Sequence, residues 1–182
     1  QASLKFGLEA SDKKSGNNLK ELDPTRPSKS SIAAFVDITD PTNPFEVGRI
    51  SGPSDSWRDL KYWGRHVYIG SEASGFGVKV ISVDDPDNPT LVNTVTNMGS
   101  SHNIHVDEDG YLYVVGASTH DVWIFSLADP ANPQFVGSWN YNGSYATQFG
   151  YCHDIEVYDN KLYCAAIYTG YFHIVDVSDK AN

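Results

Sequence analysis

Basic residues are scarce in this chain. Thirteen lysines and arginines face 23 aspartates and glutamates, giving a formal net charge of −10 and a pI near 4.8. That balance argues against nucleic acid and against anionic membrane surfaces as partners. It suits solubility, and it also suits cation binding. No apolar run approaches the length needed to span a bilayer. There is no nucleophile elbow and no paired CxxC motif. Gly75-Phe76-Gly77 is not a phosphate loop, because no helix is expected after it. No signal peptide is visible at Gln1, which leaves a removed leader or a fragment of a longer protein.

What remains is a globular, strand-rich composition. Hydrophobic residues make up 40% and the mean hydropathy is −0.37, which excludes disorder. One methionine stands against eleven tyrosines and four tryptophans, a balance that favours strands. In a chain of 182 residues this could build one core.

A proline-punctuated phrase recurs four times. Asp37-Ile38-Thr39-Asp40-Pro41-Thr42-Asn43-Pro44 is echoed by Val83-Asp84-Asp85-Pro86-Asp87-Asn88-Pro89. It returns as Leu127-Ala128-Asp129-Pro130-Ala131-Asn132-Pro133, and a last copy starts at Asp176-Val177-Ser178-Asp179. The steps between copies are 45, 44 and 50 residues. Proline fixes the backbone and cannot donate into a ladder, so these phrases belong between strands. Short runs of alternating character fill the intervals, bounded by Gly, Pro, Asn or Asp. Four such runs per period of about 45 residues make one blade of a β-propeller.

The expected fold is therefore all-β: a propeller of four-stranded antiparallel blades. The expected layout is an N-terminal extension over 1–30, mostly loop, followed by propeller repeats over 31–182. Within these lie a partial blade at 31–50, blades at 57–95 and 102–139, and a partial blade at 153–182. Ser3 to Leu8 adds one further candidate strand. The count leaves a partial ring, so a longer protein is expected rather than a closed four-bladed ring.

Aligned repeats bring three triplets together: Arg58-Asp59-Leu60, His102-Asn103-Ile104 and His153-Asp154-Ile155. The first strand of a blade is innermost, so its leading residues crowd one channel mouth. Imidazoles and carboxylates converging from separate blades suit a divalent ion, calcium or a transition metal. The candidate metal ligands are His102, His153, Asp154, Asp59 and Asn103. Arg58, Glu72 and His105 are expected at the same mouth. The plainer reading is that these side chains satisfy backbone groups of neighbouring blades. Asp107-Glu108-Asp109-Gly110 lacks the later acid of a calcium loop and reads as a hairpin turn. The tryptophans and tyrosines suit either a carbohydrate-stacking surface or packing between blades.

Cys152 and Cys164 flank a hairpin whose turn is Asp159-Asn160. That register sets Cys164 opposite Ile155, and it leaves a disulfide between the two cysteines possible but not implied. Asn142-Gly143-Ser144 is the one glycosylation sequon, and it has meaning only in an exported protein.

Several motifs have a familiar order: Trp57-Arg58-Asp59-Leu60-Lys61, Ser71-Glu72-Ala73-Ser74-Gly75, Ser101-His102-Asn103-Ile104, His153-Asp154, and Ile174 to Asn182. They resemble the choice-of-anchor B family, which is built from LVIVD-type propeller repeats, and the likeness runs from about Ile32 to Asn182. The resemblance implies a secreted or surface-anchored protein with further repeats and a variable C-terminal anchor. It implies no established reaction. It also implies cysteines near the third His-Asp blade; Cys164 sits near one such position, and Val157 occupies the other.

Two functions follow as expectations. One is an extracellular or cell-surface module that binds a protein or glycan, with self-assembly through open blade edges as a further option. The other is a metal-dependent hydrolase using the His/Asp ring. An ion that only ties blades together lies between them. The absence of a catalytic constellation favours the first.

Overall fold

The computed structural model describes residues 31–117, 120–141 and 151–181. All their regular strands fall into four antiparallel sheets, each ordered as in the chain. The first sheet has two strands, β1 (Ser31–Asp37) and β2 (Phe45–Ser51). The second has four: β3 (Arg58–Trp63), β4 (His66–Ser71), β5 (Val78–Ser82) and β6 (Thr90–Val95). The third repeats it with β7 (Asn103–Val106), β8 (Tyr111–Val115), β9 (Val122–Ser126) and β10 (Gln134–Trp139). The last has three: β11 (Asp154–Tyr158), β12 (Lys161–Ala166) and β13 (Tyr171–Asp176). This is the all-β, partial-propeller architecture that the repeat predicts. The strand proposed at Ser3 to Leu8, the extension over 1–30 and the sequon at Asn142 lie outside the described residues.

Local chemistry sets the hairpins. Gly64-Arg65 and Asp159-Asn160 each form a two-residue turn with both φ angles positive, 53° and 61° in one, 50° and 55° in the other. Such turns match the twist of the strands they join. Between β7 and β8, Gly110 takes φ 80°, and the Asp107 carboxylate accepts the N–H groups of Asp109 and Tyr111. The acidic run at 107–110 is thus a hairpin turn, as its sequence predicts.

The recurring phrase is one turn built four times, with Asp-Pro in three copies and Asp179-Lys180 in the last. Asp40, Asp85, Asp129 and Asp179 each accept, through Oδ1, the N–H two residues on, at 3.0 to 3.2 Å. Three residues earlier a second cap recurs: Asp37, Ser82, Ser126 and Asp176 accept from Thr39, Asp84, Ala128 and Ser178. Asp and Ser are favoured in turns because they can hydrogen-bond the local backbone in this way.

The last three of these turns each reach back to the preceding sheet. Pro89 lies against Gly48 of β2, where a Cβ would come within 2.7 Å of the proline ring. At the matching position of β6, Asn93 Nδ2 donates to the Ala131 carbonyl at 3.0 Å. At that position of β10, a Cβ on Gly137 would lie 2.0 Å from the Lys180 carbonyl oxygen. Two further contacts hold the Pro130 turn: Gly64 abuts the proline ring, and the Tyr68 hydroxyl donates to the Pro130 carbonyl at 2.7 Å.

The core lies between sheets. Tyr68, Val78 and Val80 pack on Ile104, Leu112, Val114 and Phe125 of the next blade. Tyr113, Val115, Val122 and Ile124 pack in turn on Ile155, Val157 and Leu162. Ile32 closes onto Ile69, Phe76 and Ile81. Removing the side chain of the fully buried Leu112 as far as Ala should cost about 2–5 kcal/mol. Face-to-face packing in chain order brings β3, β7 and β11 side by side on the inner surface.

Candidate functional site

Because β3, β7 and β11 run in one direction, each has a starting end and a finishing end on the same two sides of the molecule. The starting end carries the aligned triplets. Arg58 and Asp59 lie inside β3, while His102 and His153 precede their strands by one residue. The backbone N–H groups of His102 and His153 are each taken by the neighbouring strand, at Val115 and Ala165.

The polar side chains here stitch blade to blade. Asp59 Oδ2 accepts the Ile104 N–H of the next blade at 3.2 Å, and Lys61 Nζ donates to the same oxygen at 2.7 Å. Asn103 Nδ2 donates to Asp154 Oδ1, one blade further on, at 2.9 Å. His102 Nδ1 donates to Glu72 Oε1 across the first blade boundary at 2.6 Å. The Arg58 guanidinium donates to the Pro53 and Asp55 carbonyls, in the segment just before its own strand. Of these bonds, the one from the Ile104 N–H to Asp59 satisfies a backbone group of the neighbouring blade, while those of Asn103 and His102 join side chain to side chain.

Among the described residues no three His, Cys, Asp or Glu side chains cluster as ligands. Asp59 and Asp154 accept hydrogen bonds, Asn103 donates through Nδ2, and His102 Nδ1 donates to Glu72. His105, expected at this mouth, belongs elsewhere. It lines a cavity at the finishing end with Tyr62, Trp63 and Glu156. Burial lowers its pKa from 6.5 more than Glu156 restores it, with the two side chains 3.7 Å apart.

What the starting end does assemble is a row of rings. The His102 and His153 imidazoles stand 4.1 Å apart between centroids, and Trp57 lies 5.5 Å from His102. Tyr151 flanks His102 at 6.3 Å and meets Tyr168 at 5.1 Å. Trp57 and Tyr168 are open to solvent, at 56% and 65% exposure. Tyr151 and Tyr168 had no signal in the sequence, since neither falls at an aligned repeat position.

A disulfide fixes one side of this row. Cys152 and Cys164 are bonded, both fully buried, with Cα atoms 5.4 Å apart. Cys164 pairs with Ile155 across the ladder. The bond therefore ties the segment carrying Tyr151 and His153 to β12. Val157, where the family resemblance places a cysteine, instead packs in the core between the last two sheets.

The LVIVD repeat is matched twice in the chain, over residues 34–51 and 149–182. No curated protein matches the chain. The matched segments contain the second half of β1 and all of β2 at one end, and β11, β12 and β13 at the other. Over those two segments the chain is similar to the LVIVD repeat of β-propeller-like proteins.

Proposed function

We propose that this chain is a binding module whose starting-end mouth contacts a glycan at the cell surface. The observation that carries this reading is a division of labour at the mouth. His102 is engaged with Glu72 and Asp154 with Asn103, while the faces of Trp57 and Tyr168 stay open. Open aromatic faces beside polar groups suit the apolar faces and hydroxyls of a sugar. Paired ionisable groups, by contrast, offer no nucleophile and base in working geometry. The partial propeller and the LVIVD match support a binding or structural role without selecting a ligand.

An exported location belongs to the same proposal. The choice-of-anchor B motifs support it, and so does the buried disulfide, since such bonds persist in oxidising compartments. A protein partner at the mouth, or a strand added to the edge of β13, remains compatible with the module reading.

A glycan array probed with the labelled protein and with Trp57→Ala/Tyr168→Ala tests the proposal. Binding by the wild type that is lost in the variant supports it; equal signals, or none, remove the glycan. The divalent-ion and hydrolase readings are tested by elemental analysis of the dialysed protein beside His102→Ala/His153→Ala. Stoichiometric metal present in one and absent from the other would revive them.

A further inference from the structure

At the finishing end of β3, β7 and β11 lies a cavity of about 760 Å³. We propose that it is a docking groove for a basic polypeptide segment, one lysine or arginine of which enters between Tyr62, Trp63 and Tyr158. Three observations point there. The first is the walls. Tyr62 and Tyr158 are 40% and 70% exposed at strand ends, and the Tyr158 ring is the one most open to a cation.

The second is uncompensated charge. Glu108, Asp109, Glu156 and Asp159 line the same cavity. Among the described residues none of the four pairs with a lysine or arginine. Lys61 is committed to Asp59, and Lys180 is held at the cavity edge by Asp107 and Asn160, which leaves the four carboxylates in excess. His105 adds no positive charge at neutral pH, because burial lowers its pKa. A concave acidic surface with low-dielectric walls concentrates its field on an incoming cation.

The third is the spread of these carboxylates. They sit on two hairpins, β7–β8 and β11–β12, and do not gather into a group of three that could hold a metal. Separated charges around aromatic faces fit a long flexible cation and its neighbours along a chain, as in recognition by charge and stacking together. This groove is at the opposite end from the proposed glycan surface, so either assignment can fail alone.

The test uses the full chain and a fluorescein-labelled peptide of alternating lysine and serine, with a glutamate–serine peptide as control, followed by anisotropy. The basic peptide should bind and the acidic one should not. Glu108→Gln/Glu156→Gln should weaken binding tenfold or more, and so should Tyr62→Ala/Tyr158→Ala, whereas Tyr158→Phe should retain it. Glu46→Gln/Asp87→Asn removes the same charge outside the cavity and should change affinity less than twofold. The proposal is overturned by no binding to the wild type or by equal losses in the two charge variants. An unchanged affinity in Tyr62→Ala/Tyr158→Ala overturns it as well. All substituted residues but Trp63's neighbour Tyr62 are well exposed, and melting curves identify any variant that unfolds; Tyr158→Ala alone then replaces the double variant.

Discussion

The two ends of the inner strands use the same residue types to opposite effect. At the starting end three polar bonds cross from blade to blade: Glu72 with His102, Asp154 with Asn103, and Asp59 with the Ile104 N–H. At the finishing end Glu108, Asp109 and Asp159 have no charged partner among the described residues. The starting end leaves its rings open and its charges closed. The finishing end leaves both open. Residues that align across repeats are thus the ones under structural demand, because each must meet its equivalent next door. The unpaired groups sit in hairpins that differ from blade to blade.

The largest break in this contrast should come from the disulfide. Cys152→Ser/Cys164→Ser should cost about 2–3 kcal/mol in urea denaturation, since the bond closes a loop of 12 residues. It should loosen the starting end first, because Cys152 lies between Tyr151 and His153. A loss well under 1 kcal/mol would mean that sheet packing alone holds the mouth.

At the other end Gly64→Ala is the matching probe. Gly64 has φ 53°, and its added Cβ would meet the Pro130 ring at 2.7 Å. Backbone strain and clash together should cost about 1–3 kcal/mol. Tyr68→Phe is gentler. It removes only the hydroxyl bonded to the Pro130 carbonyl, and about 1 kcal/mol should be lost in the same assay. Burial holds the Tyr68 hydroxyl well above its ordinary pKa, so it remains a donor through the physiological range.

The smallest effect separates the two ends by pH. His105 is held neutral in the folded protein, with its pKa below 6.5, whereas the unfolded chain takes up a proton near 6.5. The unfolded state therefore binds more protons as pH falls below that value, and stability is lost in the same direction. His105→Gln should flatten this limb of the stability–pH curve. A curve identical to wild type would place the proton uptake elsewhere.

Much of the fold was legible from the Asp-Pro phrase alone, because the turn it encodes depends on local hydrogen bonds that a repeat must preserve. β3 begins at Arg58, one residue inside the blade expected over 57–95, because Arg58 and Asp59 pair with Ser71 and Gly70 of β4. The mouth was legible in position but not in chemistry. Alignment located His102, Asn103 and Asp154, yet it could not tell whether equivalent side chains would point at a shared centre or at one another. His105 illustrates the same limit. It is two residues along the strand from Asn103, and that distance carries it toward the opposite opening. Tyr151 and Tyr168 were invisible because their meeting depends on a cross-link and a loop.

The backward reach of the Asp-Pro turns gives the chain a grammar of length. Positions 48, 93 and 137 each receive the turn of the following repeat. Like overlapping roof tiles, the units lock in one direction only. Excising the 44 residues between Pro86 and Pro130 would bring the Pro130 turn onto the seat that Pro89 vacates at Gly48. Excising half as many would leave a seat facing a strand. Such a scaffold can gain or lose material only in whole tiles.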